Sequence, residues 1–597
     1  MIKFSDYLVN FLSKKGLSQS FGITGGGAMH LNDSFAKSKK IKSIFTHHEQ
    51  SAAMAAESYY REIGKPCILN VTSGPGGTNS ITGVAGAWID SIPMFIISGQ
   101  VESHHMIKNT KLRQIGIQEI NIIDVVKKIT KKSFFLKNLD NIEKKIEDLY
   151  KVMIDGRPGP VWLDVPLDIQ KARFKIKKVY KKNQKQKAYK SFNVKRFSKL
   201  LNESKKPIII AGNGVHISKT EKEFLKFISK VNIPVITSWN GSDLISTNNK
   251  NYIGRMGIFG DRAANLTAQN SDLQIIMGSR MSIPMIGYKT REFSKNAKKI
   301  IIEIDKSEIK KKLLSNVKLR INNSLKDFFK LIDTNLIFKN KSQVQWNNLT
   351  RNWKKEFNIK REKSHIASKK KNKLINSFVF INELSKSCSG NESIITDMGT
   401  SFTCTMQTFS IKNPKKQRLY TSSGLAAMGF GLPGAIGARI ANPKKNIVCI
   451  TGDGGFMFNI QELQTIKTYN LPIKIFILQN KGYLTMKLMQ KKNFDLYTGS
   501  GEKSGVSFPD FKKISYSYGI KYRKLKKKNL KSQIKKILAE KQSIITEVEM
   551  NEFQELVPRL QNKMLKNGDF IIPKFDDLYP HLSEERLKEQ REKANKI

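Results

Sequence analysis

Short apolar runs recur along this chain, and the stretches between them carry the period of helices. From residue 1 to about 185 the runs are SQSFGIT, KSIFTH, CILNVTSG, MFIISGQ and VWLDVP. They are rich in β-branched and aromatic residues with little regular polar alternation, the pattern of strands covered on both faces. Such strands alternating with helices predict a doubly wound sheet. The pattern restarts twice. Between about 191 and 345 it gives PIIIAGNG, PVITSWN, LQIIMGS and IIIEID. From about 374 to 597 it gives SIITDMG, NIVCI and IKIFIL, followed beyond residue 551 by an extension with a short terminal helix. The basic, polar stretches Lys177–Lys190 and Lys360–Lys373 read as linkers. The expectation is an α/β chain of three doubly wound domains with mainly parallel sheets, each near ordinary domain size.

Charge changes this picture little. Lys and Arg number 105 against 50 Asp and Glu, a formal charge of +55. Such an excess first suggests nucleic acid or a membrane surface. The lysines are spread along the whole chain, however, and no helix-turn-helix, zinc-finger or aromatic RNA-binding pattern accompanies them. A compositional bias on solvated faces explains the excess more simply, and a non-catalytic nucleic-acid binder is the distant alternative. The field still steers anionic substrates inward. The segment MIKFSDYLVNFLSKKG is an amphipathic helix rather than a secretory signal. No run is long and apolar enough to span a bilayer. Cys67, Cys388, Cys404 and Cys449 lack metal-ligand or redox spacing. These features lead us to expect a cytoplasmic protein.

The chemistry enters at Thr451-Gly452-Asp453-Gly454-Gly455, which turns off the end of the strand NIVCI. Phe456 to Tyr469 reads as a helix and IKIFIL as the next strand, with Asn480 and Gly482 following it. Asp453 and Asn480 are therefore expected at the same end of neighbouring parallel strands, where open α/β sheets bind ligands. A carboxylate, an amide oxygen and a backbone carbonyl offer a small hard cation three oxygens and leave room for phosphate. A glycine-rich turn with no metal is the plain alternative.

GDGGFMFNIQELQTIKTYNLPIKIFILQNKGY closely resembles the diphosphate-binding motif of thiamine diphosphate enzymes, with Gln479 where that family often has a second Asn. The resemblance implies that Asp453, Asn480 and the Gly482 carbonyl hold Mg2+ against the diphosphate. HHEQSAAMAAESYYR resembles the family's glutamate helix, which gives Glu49 the catalytic place beside the coenzyme's pyrimidine. A carboxyl that shares a proton with that ring must sit in a dry place. In this family opposite ends of the coenzyme are held by different subunits, so a homodimer or tetramer is implied, with Glu49 facing its partner's Asp453.

The order of the three blocks resembles the acetolactate synthase-like branch over nearly the whole chain. It implies cofactor contacts at Gly26, in the loop Ser73 to Asn79 (Ser73, Gly76 and Asn79), at Gly399 and Thr400, at Ala426 and Met428, and at Gly454, Gly455 and Tyr483. It implies that Gln118 approaches the reacting centre, with Ile117 where the family usually has Phe. Met489 stands where acetolactate synthases carry a specificity Trp, and Thr485 or Met486 where the coenzyme is bent. His104 and His105 match a decarboxylase pair poorly and read as surface residues. FAD is left open in the central block, at Ala211-Gly212-Asn213-Gly214, Gly257, Gly278-Ser279-Arg280 and Ile304-Asp305. The implied activity is decarboxylation of a 2-oxo acid, pyruvate first, and joining of the fragment to a carbonyl acceptor. The alternative keeps the cofactor but acts on a keto-sugar or cyclic dione, suggested by DDLYPHLSEE and GYLTMK.

Overall fold

The computed structural model describes residues 1–107, 110–176, 191–338, 343–358, 374–494, 496–564 and 569–597. Both expected linkers, Lys177–Lys190 and Lys360–Lys373, lie outside the described residues. Three parallel six-stranded sheets form the frame. In the first, Lys42–Phe45, Gln19–Gly22, Cys67–Val71, Met94–Gln100, Val161–Pro166 and Lys132–Phe135 lie side by side in that order. The central sheet runs Tyr252–Arg255, Val235–Thr237, Pro207–Ala211, Leu273–Met277, Lys298–Ile302, Val317–Ile321. The third runs Arg418–Tyr420, Ser393–Thr396, Ile447–Gly452, Ile473–Gln479, Ile544–Glu549, Lys521–Lys524. Most of the apolar runs become inner strands, buried on both faces by flanking helices. Edge strands such as Val317–Ile321 and Lys521–Lys524 carry charged side chains, which hides them from a search for apolar runs and protects the sheet edge.

One expected helix is corrected. Phe456 to Tyr469 forms two helices, Asp453–Phe458 and Glu462–Thr468. Asn459 sits at the break and uses its whole amide. Its Nδ2 donates to Gly429 O at 2.8 Å, and its Oδ1 accepts from Ser51 Oγ at 2.9 Å. A side chain so committed to neighbouring segments fixes a turn that local propensity does not.

The first and third sheets are joined through two helices in close approach, Glu49–Ile63 and Gly431–Ala441. A Cβ on Gly437 would lie 2.0 Å from Ala55 O, so only glycine fits that crossing. Ser58 Oγ donates to Gly434 O at 2.6 Å. Buried ion pairs then connect all three blocks. Arg61 binds Glu57 and Asp90, and Asp90 also accepts from Ser423 N and Arg280 Nη2. Asp243 accepts from Arg418 Nε at 2.7 Å and faces His216 Nε2 at 2.7 Å. Burial acts to raise the Asp243 carboxyl, but His216 and Arg418 outweigh it and hold it well below the usual carboxylate range. Residues beyond 551 return to the central sheet, where Trp353 Nε1 donates to Gln590 Oε1 at 2.9 Å.

Candidate active site

Two clusters of the expected residues form. The first gathers at the carboxyl ends of the first sheet. Glu49 opens its helix, with His48 as N-cap: the His48 Nδ1 accepts from Gln50 N at 3.1 Å. Glu49 is buried, and its Oε2 accepts from Asn79 Nδ2 at 3.0 Å. Asn79 ends the short helix Pro75–Asn79 that follows Ser73. A Cβ on Gly27 would lie 2.4 Å from Ser73 Oγ, so the Gly26 turn rests against the Ser73 loop. A Cβ on Gly74 would lie 2.5 Å from Gln118 O, and Gly74 takes φ +59, so glycine lets these two loops touch. Gln118 itself is exposed with φ +60, a conformation an L-residue keeps only where its surroundings impose it.

The second cluster gathers at the carboxyl ends of the third sheet. Ile447–Gly452 and Ile473–Gln479 pair in parallel with Gly452 opposite Leu478, which sets Asp453 and Asn480 just beyond adjacent strand ends. Asp453 Oδ2 accepts from Asn480 N at 2.9 Å and Gly482 N at 3.3 Å, and Oδ1 from Gly454 N at 2.8 Å. Burial still pushes its carboxyl up to about 6 against those three donors. The Asn480 side-chain oxygen is buried with no hydrogen-bond partner among the described residues. Buried acceptors of this kind want a donor or a cation. A Cβ on Gly454 would lie 2.2 Å from Tyr483 Cε1 and 3.4 Å from Met428 Cε, so Tyr483 and Met428 both cover Gly454. Ala426 stands nearby in chain order with φ +62. Gly399, by contrast, faces open space and precedes the helix Thr400–Thr408, whose first N–H groups suit an anion.

Asp397 ties these loops together; sequence reasoning placed it in the stretch Asp397–Thr400 but gave its side chain no role. It is fully buried. Its carboxylate accepts from Met398 N (2.7 Å), Gly429 N (3.0 Å), Gly431 N (3.1 Å) and Thr451 Oγ1 (3.2 Å). A Cβ on Gly455 would lie 2.8 Å from its Oδ2. An aspartate directly after a buried strand and before Met-Gly was the available signal. Of the remaining candidates, Met486 and Met489 are exposed on the helix Leu484–Asn493, and His104 and His105 are exposed beside Glu102. Within one chain no hydrogen bond among the described residues joins the two clusters. Instead the foot of the Glu49 helix is anchored from behind, where His47 N donates to Glu462 Oε1 at 3.1 Å.

The family models agree with this layout. Residues 2–123 match the thiamine pyrophosphate enzyme N-terminal TPP binding domain, 194–330 the central domain, and 397–548 the C-terminal TPP binding domain. The acetolactate synthase large subunit of Cyanidium caldarium is 33% identical over 558 residues, covering 89% of this chain and 90% of that protein. The chain belongs to the thiamine pyrophosphate enzymes, in their acetolactate synthase-like branch. A probable acetolactate synthase large subunit of Methanococcus aeolicus is also 33% identical, covering 88% of each chain. The large subunit of acetolactate synthase isozyme 1 of Escherichia coli is 29% identical, covering 80% of this chain and 82% of its own. In this thiamine pyrophosphate enzyme the first cluster falls inside the N-terminal match and the second inside the C-terminal one. No helix among the described residues is long and apolar enough to cross a membrane.

Proposed function

We propose that the chain decarboxylates pyruvate and joins the resulting two-carbon unit to a carbonyl acceptor, an acetolactate synthase activity that depends on thiamine diphosphate and magnesium. The observation that carries this reading is the partnerless, buried amide oxygen of Asn480 beside the buried carboxylate of Asp453. These two groups and the Gly482 carbonyl are the cation ligands. Gly399, Thr400, Gly454 and Gly455 hold the diphosphate, while Ala426, Met428 and Tyr483 take the rings. When bound, the coenzyme supplies the electron sink that cleavage beside a carbonyl requires.

Glu49 holds and exchanges the proton on its carboxyl, which is buried and oriented by Asn79. Gln118, Ser73, Gly76 and Gly26 line the approach. The exposed apolar side chains Leu112, Ile115 and Ile117 beside the first cluster, and Phe494 and Leu496 beside the second, support pairing of two chains so that one cluster meets the other's partner. We assign FAD to a cavity of about 660 Å³ at the switch point of the central sheet, lined by Gly212, Asn213, Gly278, Arg280 and Ile304. Cys67, Cys388 and Cys449, buried free thiols, support a reducing compartment.

The test is incubation of purified protein with pyruvate, Mg2+ and thiamine diphosphate, following carbon dioxide and acetolactate. Product that vanishes on chelation of the metal is expected. Absence of any magnesium-dependent coenzyme binding would sink the proposal. A flavin absorbance in the purified protein tests the central cavity.

A further inference from the structure

Only three lysines are buried among the described residues, Lys299, Lys474 and Lys487, and Lys487 lies at the second cluster. Its Nζ donates to Lys481 O at 2.9 Å and to Asn480 O at 3.4 Å, with Glu552 Oε2 at 3.4 Å as counter-ion. Its stem passes a gate of two glycines. A Cβ on Gly482 would lie 2.5 Å from Lys487 Cε, and one on Gly501 would lie 2.7 Å from it. Gly482 and Gly501 form an antiparallel bridge, and Tyr483 N donates to Ser500 O at 2.9 Å. The loop so gripped is strained: Lys481, a non-glycine residue, takes φ +57. A strained loop persists only where its surroundings over-determine it, and the ammonium on two successive carbonyls does that here.

We propose that Lys487 is a positioning residue for the cation site. It engages the backbone oxygens of Asn480 and Lys481 and so leaves the Asn480 side-chain oxygen without a partner, ready for a metal. This rests on the reading that Asp453, Asn480 and Gly482 hold magnesium. Nothing in the expected motif assigns position 487 a part. The sequence conceals it, because one lysine among so many draws no notice. The stem of the same side chain lies against Gly501, where that segment bridges to the metal loop.

Isothermal titration of full-length, metal-free protein with Mg2+ and thiamine diphosphate tests the proposal. Lys487→Met keeps the stem and removes the ammonium. Loss of a group that orients a metal ligand typically lowers metal affinity about 10- to 100-fold, and that loss is expected with an unchanged thermal midpoint of the metal-free protein. Wild-type binding with Lys487→Met within about twofold of it would overturn the inference and leave the functional reading standing. Affinity lost together with the thermal midpoint would also overturn it, since the lysine would then hold the fold rather than the loop. Failure of the wild-type protein to bind would remove both. Should Lys487→Met not fold, Gly501→Ala, which presses on the stem from outside, is judged by the same thresholds.

Discussion

Asp397→Asn isolates what one buried carboxylate contributes to the floor of the second cluster. One oxygen serves the N–H groups of Met398 and Gly429, the other the Gly431 N–H and the Thr451 hydroxyl. Asparagine keeps one acceptor oxygen and turns the other into a donor. With its oxygen toward Met398 and Gly429, its NH2 confronts the Gly431 N–H. Thr451 can rotate and accept, but the backbone donor cannot. A buried donor left unpaired costs about 1–3 kcal/mol. Burial pushes the Asp397 carboxyl up, so a neutral amide recovers part of the desolvation, and the net lies toward the lower end of that range. Local opening of the glycine-rich turn should then become about 5- to 30-fold more frequent. Hydrogen–deuterium exchange of peptides spanning 427–433 reads this directly, with the strand Met94–Gln100 as internal control. Exchange in 427–433 unchanged within about twofold, under conditions where exchange reports opening, would refute the assigned role.

Three further outcomes are expected. Glu49→Gln should bind coenzyme and magnesium normally but turn over at least about 100-fold more slowly; retention of most of the rate with pyruvate would remove Glu49 from proton transfer. Burial pushes the Asp164 carboxyl from 3.8 up to about 7 despite hydrogen bonds from Ser98 and Gln100. The native chain therefore keeps a proton that the unfolded chain releases, so this contribution is full below pH 3.8 and is lost as pH rises through about 7. Asp164→Asn should flatten that decline, by up to roughly 4 kcal/mol at alkaline pH, and thermal midpoints with the wild-type pH slope would disprove it. Gly437→Val drives carbon into the Ala55 carbonyl, which cannot swing away, and should cost about 3 kcal/mol or more; a wild-type resistance to limited proteolysis would contradict the crossing described.

The inner strands were legible because burial on both faces demands unbroken apolar runs such as IKIFIL and MFIISGQ. Edge strands were not, since KYRK at 521–524 gives its exposed positions to charge. The start of the Glu49 helix and the placing of Asp453 beside Asn480 followed from local pattern and from strand order. The break at Asn459 did not, because its partners Gly429 and Ser51 lie far away in sequence. The same distance hid the joints between blocks. Asp243 and Arg418 are separated by 175 positions, and neither sits in a run that marks it. Asp397 stood in plain view, but three of its four donors come from distant segments that only the folded chain brings together.

The parallel register of Ile447–Gly452 against Ile473–Gln479 has an evolutionary corollary. What keeps Asp453 next to Asn480 is a ladder between two backbones, not the number of residues that happen to separate them. The outer turn at Asn470 can thus gain or lose a few residues while both side chains stay put. A single-residue deletion within either ladder strand would turn the side chains on one side of it to the opposite face and dismantle the site. Spacing in this motif is free to drift at its periphery and frozen at its two ends.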